Sequence, residues 1–185
     1  MIISLTGFMG CGKSSIGRQL SELLCCRFMD LDDVIAETSG RSIPEIFASD
    51  GETAFRQMEL DALEHLLNIQ DSCNPKSSSS GAVTAVLALG GGTVMTHECA
   101  EMVREKTLCI YLRASADTLI GHLEGESENR PMLKDGKSTL RKRIEELMTL
   151  RSSTYEKTAH IIIDTDGKSM DQITEAMIKS ILAER

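Results

Sequence analysis

Tryptophan is absent from this 185-residue chain, aromatic residues make up 3% of it, and proline occurs only three times. A core cannot be built around large rings here. Ile, Leu, Val, Ala and Met must fill it, with the ten methionines as pliable gap-fillers. Basic residues are also in deficit: 20 Lys and Arg against 28 Asp and Glu leave a net charge of −8. No basic stripe is left to neutralise a nucleic-acid backbone, so no nucleic-acid partner is expected. No apolar run reaches the roughly 18 residues that a membrane-spanning helix needs, so no membrane is expected either. The opening residues lack a basic region, and Gly7 and Gly10 interrupt their apolar run, so they do not read as a signal peptide. The six cysteines lack paired metal-ligand spacing and are too sparse for a secreted disulfide framework, which points to the reducing cytoplasm. The four histidines show no ligand spacing either, and read as ordinary residues.

The chain does carry Gly7-Phe8-Met9-Gly10-Cys11-Gly12-Lys13-Ser14, which fits the pattern G-x-x-x-x-G-K-[ST] directly after a β-like run at residues 1–6. Glycines let the backbone curl until several N–H groups point at one anion. Lys13 can reach the β- and γ-phosphates of a nucleotide, and the Ser14 hydroxyl can ligate Mg²⁺. The helix that starts here turns its positive end to the same anion. Nucleotide contacts are therefore expected from Gly10, Cys11, Gly12, Lys13, Ser14 and Ser15.

Beyond the loop, short apolar runs alternate with helical periodicity. Ile16, Leu20, Leu23 and Leu24 mark one helix face, and residues 27–30 a strand ending in a carboxylate. Ser42 with Glu45 opens a short helix at 43–49, and Phe55, Met58, Ala62, Leu66 and Leu67 trace a long one. Residues 71–81 (DSCNPKSSSSG) read as an exposed connector inside one domain spanning 1–185. Residues 82–89 suit a strand buried on both faces, followed by Gly90-Gly91-Gly92. Strands at 107–112 and 161–163 and helices at 138–155 and 169–184 complete the pattern, the last with Ile173, Met177, Ile181 and Leu182 on its apolar face. Five strands separated by helices predict an α/β fold, a three-layer α/β/α sandwich on a five-stranded parallel sheet. Ligands gather at the carboxyl ends of such strands, so residues 7–14, 30–32 and 90–92 should converge on one cleft.

Four more features stand out: Asp30-Leu31-Asp32-Asp33, Phe55-Arg56, the triple glycine, and Arg130-Pro131 with Arg151. In this order and spacing, from GFMGCGKSSIGRQL through LGGGTV and NRPML to Arg151, the chain resembles the shikimate kinase family over almost its whole length. The resemblance implies a P-loop, nucleoside-monophosphate-kinase-like fold with a mobile lid at about 121–137. It implies transfer of the γ-phosphoryl group of ATP to the 3-hydroxyl of shikimate, with Mg²⁺ as cofactor. Lys13, Asp32 and Arg130 would be catalytic: Lys13 on the transferring group, Asp32 on the acceptor hydroxyl, Arg130 riding the lid onto the ATP phosphates. Asp30 would sit near the magnesium, through water. Arg56 and Arg151 would grip the substrate carboxylate, and Gly90, Gly91 and Gly92 would face the substrate with their amides. The departures lie at the adenine end, where His122 is the nearest counterpart of the usual pre-lid arginine and the loop at 164–169 has no proline.

The residue chemistry agrees with that reading. Planar arginines recognise a carboxylate with two parallel bonds, and a weakly acidic alcohol needs an adjacent carboxylate to take its proton. Each residue also has a plainer reading: Asp30 or Asp32 as a helix N-cap, Arg56 as a solvated charge, Arg151 as a cation near a helix C-terminus, the glycines as a turn. A gluconate-type sugar-acid kinase, or a nucleotide-binding regulatory module without catalysis, are the alternative functions. Nothing in the sequence demands an oligomer, so a monomer is expected. Replacing Arg130 with Ala should lower turnover far more than shikimate affinity, and steady-state kinetics with unchanged turnover would remove Arg130 from the catalytic set.

Overall fold

The computed structural model describes residues 1–72, 82–123 and 140–184. In chain order it forms β1 (Ile2–Thr6), α1 (Lys13–Leu23), β2 (Arg27–Asp30), α2 (Leu31–Ser39), α3 (Ile43–Ser49), α4 (Gly51–Ser72), β3 (Ala85–Ala88), α5 (His97–Lys106), β4 (Leu108–Arg113), α6 (Ala116–Leu123), α7 (Leu140–Thr158), β5 (Ile161–Asp164) and α8 (Met170–Ala183). The sheet runs β2-β3-β1-β4-β5, and every neighbouring pair is parallel.

Parallel strands need crossovers, and each crossover helix covers a face of the sheet. Helices α1 and α8 pack on one face, against each other and against β1, β2, β3 and β5. Helices α5 and α7 cover the other, against β4 and each other. The strands record this burial. All of β1 and β3 is buried, whereas β5, an edge strand, alternates buried and exposed residues. Asp30 stands level with Ala88, and Ala88 with Leu5, so β1, β2 and β3 end together and release their loops at one rim. No helix among the described residues is long and apolar enough to cross a membrane.

Several boundaries differ from the sequence expectation. The apolar run at 82–89 is a strand only from Ala85 to Ala88. Helix α4 extends through Ser72, so the connector begins later than residue 71, and residues 73–81 lie outside the described part. Gly121, the first residue of the expected lid, lies in α6; residues 124–137 of that lid, with Arg130, lie outside the described residues. Helices α2, α5 and α6 are not anticipated by the sequence reading; each is short and buries a single i,i+4 pair, Leu31 with Ile35, Cys99 with Val103 and Leu119 with Leu123.

Two leucines expected on buried faces are exposed: Leu23 at 58% and Leu182 at 60%. In both cases a small or polar residue occupies the buried face instead. Helix α1 buries Ile16, Gly17, Leu20 and Ser21, and α8 buries Thr174 beside Ile173, Met177 and Ile181. Gly17 is what lets α1 approach the sheet: a Cβ there would sit 2.7 Å from Phe28 Cε2 and 3.1 Å from Leu5 Cδ1. Gly17→Val should therefore destabilise the protein by about 1–3 kcal/mol in urea unfolding, although an exposed helical glycine would gain from the change.

Candidate active site

The loop between β1 and α1 closes on its own backbone, with Cys11 N donating to Phe8 O at 3.2 Å. Gly10 and Gly12 make the turn possible at φ 81° and 90°, in the left-handed region. Gly12 is the N-cap of α1 and supplies no side-chain cap, whereas Asp30 caps α2 and Ser169 caps α8. The first amides of α1 thus keep their donors for an anion. Lys13 Nζ folds back over the loop onto the carbonyls of Gly7 and Phe8, both at 3.0 Å. Ser14 Oγ donates to Asp30 Oδ2 at 2.6 Å, bringing together two oxygen groups of the kind Mg²⁺ prefers. Asp30 is also the N-cap of α2, its other oxygen accepting from Asp32 N at 3.1 Å. The plainer N-cap reading of Asp30 therefore holds, while its second oxygen faces Ser14.

These residues line a cleft of about 660 Å³ that also takes in Ser15, Asp32, Leu89 and Gly91. The convergence expected of the loops at 7–14, 30–32 and 90–92 is thus present at the carboxyl rim. The far end of the cleft is formed by Thr118 and His122 of α6 and by Thr165, Gly167, Lys168 and Met170 around the β5–α8 connection. His122 Nδ1 is hydrogen-bonded to Gly10 O at 2.9 Å, which ties the residue expected before the lid to the phosphate loop.

Beside the cleft, the triple glycine follows β3 and is packed so tightly that side chains would collide. A Cβ on Gly90 would lie 2.8 Å from Glu59 Oε1 and 3.0 Å from Asp32 Oδ1. On Gly92 it would lie 2.6 Å from Arg56 Nη1. Arg56 is no solvated charge: its side chain is 18% exposed and ion-pairs with Glu52 at 2.9 Å and, more closely, with Glu59. Burial works to lower its pKa, but Glu59 and then Glu52 outweigh it, so the pKa rises and the guanidinium stays charged. Glu59 itself is buried and also accepts from Thr93 Oγ1 at 2.7 Å.

Arg151 is treated differently. It is 6% exposed, in the middle of α7 and not at its C-terminus, and donates to Gly91 O at 3.2 Å. Among the described residues, no carboxylate lies within ion-pairing distance of it. A buried cation without an anion is costly, which suits a site that an anionic ligand completes.

Two residues of this arrangement escaped the sequence reading. Glu59 supports Arg56, and Tyr155 donates its hydroxyl to Gly91 O. A signal for both existed. On α4, Glu59 falls in the buried series Phe55, Glu59, Leu63, Leu67; on α7, Arg151 and Tyr155 follow Ile144 and Leu147. A charged residue in a core stripe is the informative observation.

With this geometry in place, the comparisons with known proteins agree with one another. The shikimate kinase family model matches residues 9–182. The shikimate kinase of Dictyoglomus turgidum is 36% identical over 181 residues, covering 97% of this chain and 96% of its own. That of Thermus thermophilus is also 36% identical, over 179 residues, covering 97% and 89%. The solved structure of shikimate kinase from Acinetobacter baumannii in complex with shikimate is similar at a TM-score of 0.87 and 28% identity, covering 100% of this chain and 94% of that one.

Gly92→Ala should push the Arg56 guanidinium off its place while leaving the phosphate loop untouched. Calorimetric titration is expected to show nucleotide affinity kept and acid-substrate affinity lowered by about tenfold, the scale of a lost charge-assisted hydrogen bond.

Proposed function

The chain belongs to the shikimate kinase family, and on that premise we propose that it transfers the γ-phosphoryl group of ATP to the 3-hydroxyl of shikimate, giving shikimate 3-phosphate and ADP. The reaction serves aromatic amino acid biosynthesis. The observation that carries the acceptor half is Arg151, a buried guanidinium bonded to Gly91 of the phosphate cleft with no carboxylate among the described residues to neutralise it. A carboxylate substrate supplies that partner, and Arg56 at Gly92 supplies a second guanidinium on the same loop.

The donor half follows from the loop. Amides of residues 10–15 at the uncapped start of α1 bind the phosphates, and Lys13 exchanges its loop carbonyls for phosphate oxygens. Ser14 and Asp30 would hold Mg²⁺, Asp30 through water, and the ion would supply charge neutralisation to the phosphates. Asp32 lies across from Gly90 and takes the proton of the 3-hydroxyl as its oxygen bonds to the γ-phosphorus. The bond from that phosphorus to the β–γ bridging oxygen breaks, and ADP leaves. Arg130 contributes to the phosphates as the family resemblance implies. Thr118, His122 and Lys168 hold the nucleoside end, with His122 standing where relatives usually carry an arginine. The enzyme acts as a cytoplasmic monomer.

One assay tests the reading: ADP release with ATP and Mg²⁺, offered shikimate, gluconate or no acceptor. Turnover is expected with shikimate only. Release with gluconate, or nucleotide binding without release, overturns the reading. In the same assay Asp32→Asn should lower kcat by at least about a hundredfold, the usual worth of a general base. Near-normal turnover would remove Asp32 from that role.

A further inference from the structure

Arg151 and Tyr155 stand four residues apart on α7, so both project from one face of the helix. Tyr155 is 1% exposed, and its ring packs on Tyr111 of β4 with centroids 5.2 Å apart. A buried phenol requires a hydrogen-bond partner, and this one donates to the carbonyl of Gly91, the middle residue of the triple glycine. Arg151 Nη1 donates to the same carbonyl at 3.2 Å. Guanidinium and phenol therefore share one acceptor. That acceptor belongs to a residue on the donor side of the cleft, since a Cβ on Gly91 would lie 3.1 Å from Met9 N in the phosphate loop.

A carbonyl oxygen has two lone pairs, and here both are used. A carboxylate arriving at Arg151 competes with Gly91 O for the guanidinium. The Tyr155 hydroxyl keeps that carbonyl satisfied throughout and keeps the middle glycine seated against Met9. It also restricts the directions in which the guanidinium can point. Resting on the shikimate kinase reading of the site, we propose that Tyr155 is a positioning residue for acceptor binding, acting through Arg151 and Gly91 without touching the substrate.

Tyr155→Phe keeps the ring and its packing on Tyr111 and deletes only the hydroxyl. The KM for shikimate is expected to rise roughly five- to tenfold, the worth of one buried hydrogen bond, with kcat and the KM for ATP little changed. Tyr111→Phe, which deletes a hydroxyl from the same ring pair, should leave the shikimate KM as it was. A Tyr155→Phe enzyme with the normal shikimate KM, or an equal rise in Tyr111→Phe, overturns the proposal. A second measurement needs no change at Tyr155. The chain has two tyrosines, so Tyr111→Phe labelled with 3-fluorotyrosine carries a single ¹⁹F probe at Tyr155. Its resonance should shift on saturation with shikimate, and a resonance that stays in place overturns the proposal. Shikimate turnover by the unaltered enzyme is read in parallel. Its absence overturns the kinase reading itself, whereas normal turnover beside an unmoved Tyr155→Phe KM overturns the positioning role alone.

Discussion

Strand β1 lies at the centre of a parallel sheet, buried along its length, and the helix after it starts with no side chain over its first amides. An uncapped helix start is a standing deficit of hydrogen bonds, and a bound phosphate removes it. Much of the remaining architecture answers that arrangement. The register that levels Leu5, Ala88 and Asp30 brings a carboxylate and the triple glycine to the same rim. The hydrogen bond from Ser14 to Asp30 then joins the start of α1 to the end of β2.

With a net charge of −8, long-range attraction of two anionic substrates is unfavourable, so binding must come from short-range, directed contacts. The two arginines proposed for the acceptor side are held in different ways. Arg56 is held in place by two glutamates and offers what remains of its fork from a rigid mount. Arg151 donates to a carbonyl that it shares with the Tyr155 phenol, a neutral group that orients it without cancelling its charge. The first arrangement favours precision of placement and the second favours affinity for an anion. Both run through the glycine loop, which accepts them because it has no side chains to displace.

Much of the site was legible because its chemistry is local in sequence. The phosphate loop, the Asp30 and Asp32 pair, and the glycines each follow a strand directly, and strand ends in such sheets converge. Leu23 and Leu182 were misjudged because Gly17 and Thr174 take the buried faces of their helices, and hydrophobic spacing gives no credit to a glycine or a threonine. Glu59 and Tyr155 went unnoticed for a related reason. Their place in a buried stripe was visible, but the partners that fix them there, Thr93 for Glu59 and Gly91 for Tyr155, lie 34 and 64 residues away, which no window along the chain contains.

The amino-acid sequence by itself determined the alternation of strands and helices, the nucleotide loop and the types of residue available for phosphoryl transfer, since these depend on neighbours in the chain. Tertiary structure alone decided which charges are neutralised. Glu59 pairs with Arg56 three residues away in the same helix, yet it does so buried, and its second bond goes to Thr93 beyond β3. Among the described residues Arg151 has no carboxylate partner, because α7 carries it against Gly91 and not against an acidic neighbour. Burial and through-space pairing set the energy of a charge, and neither is a property of sequence spacing.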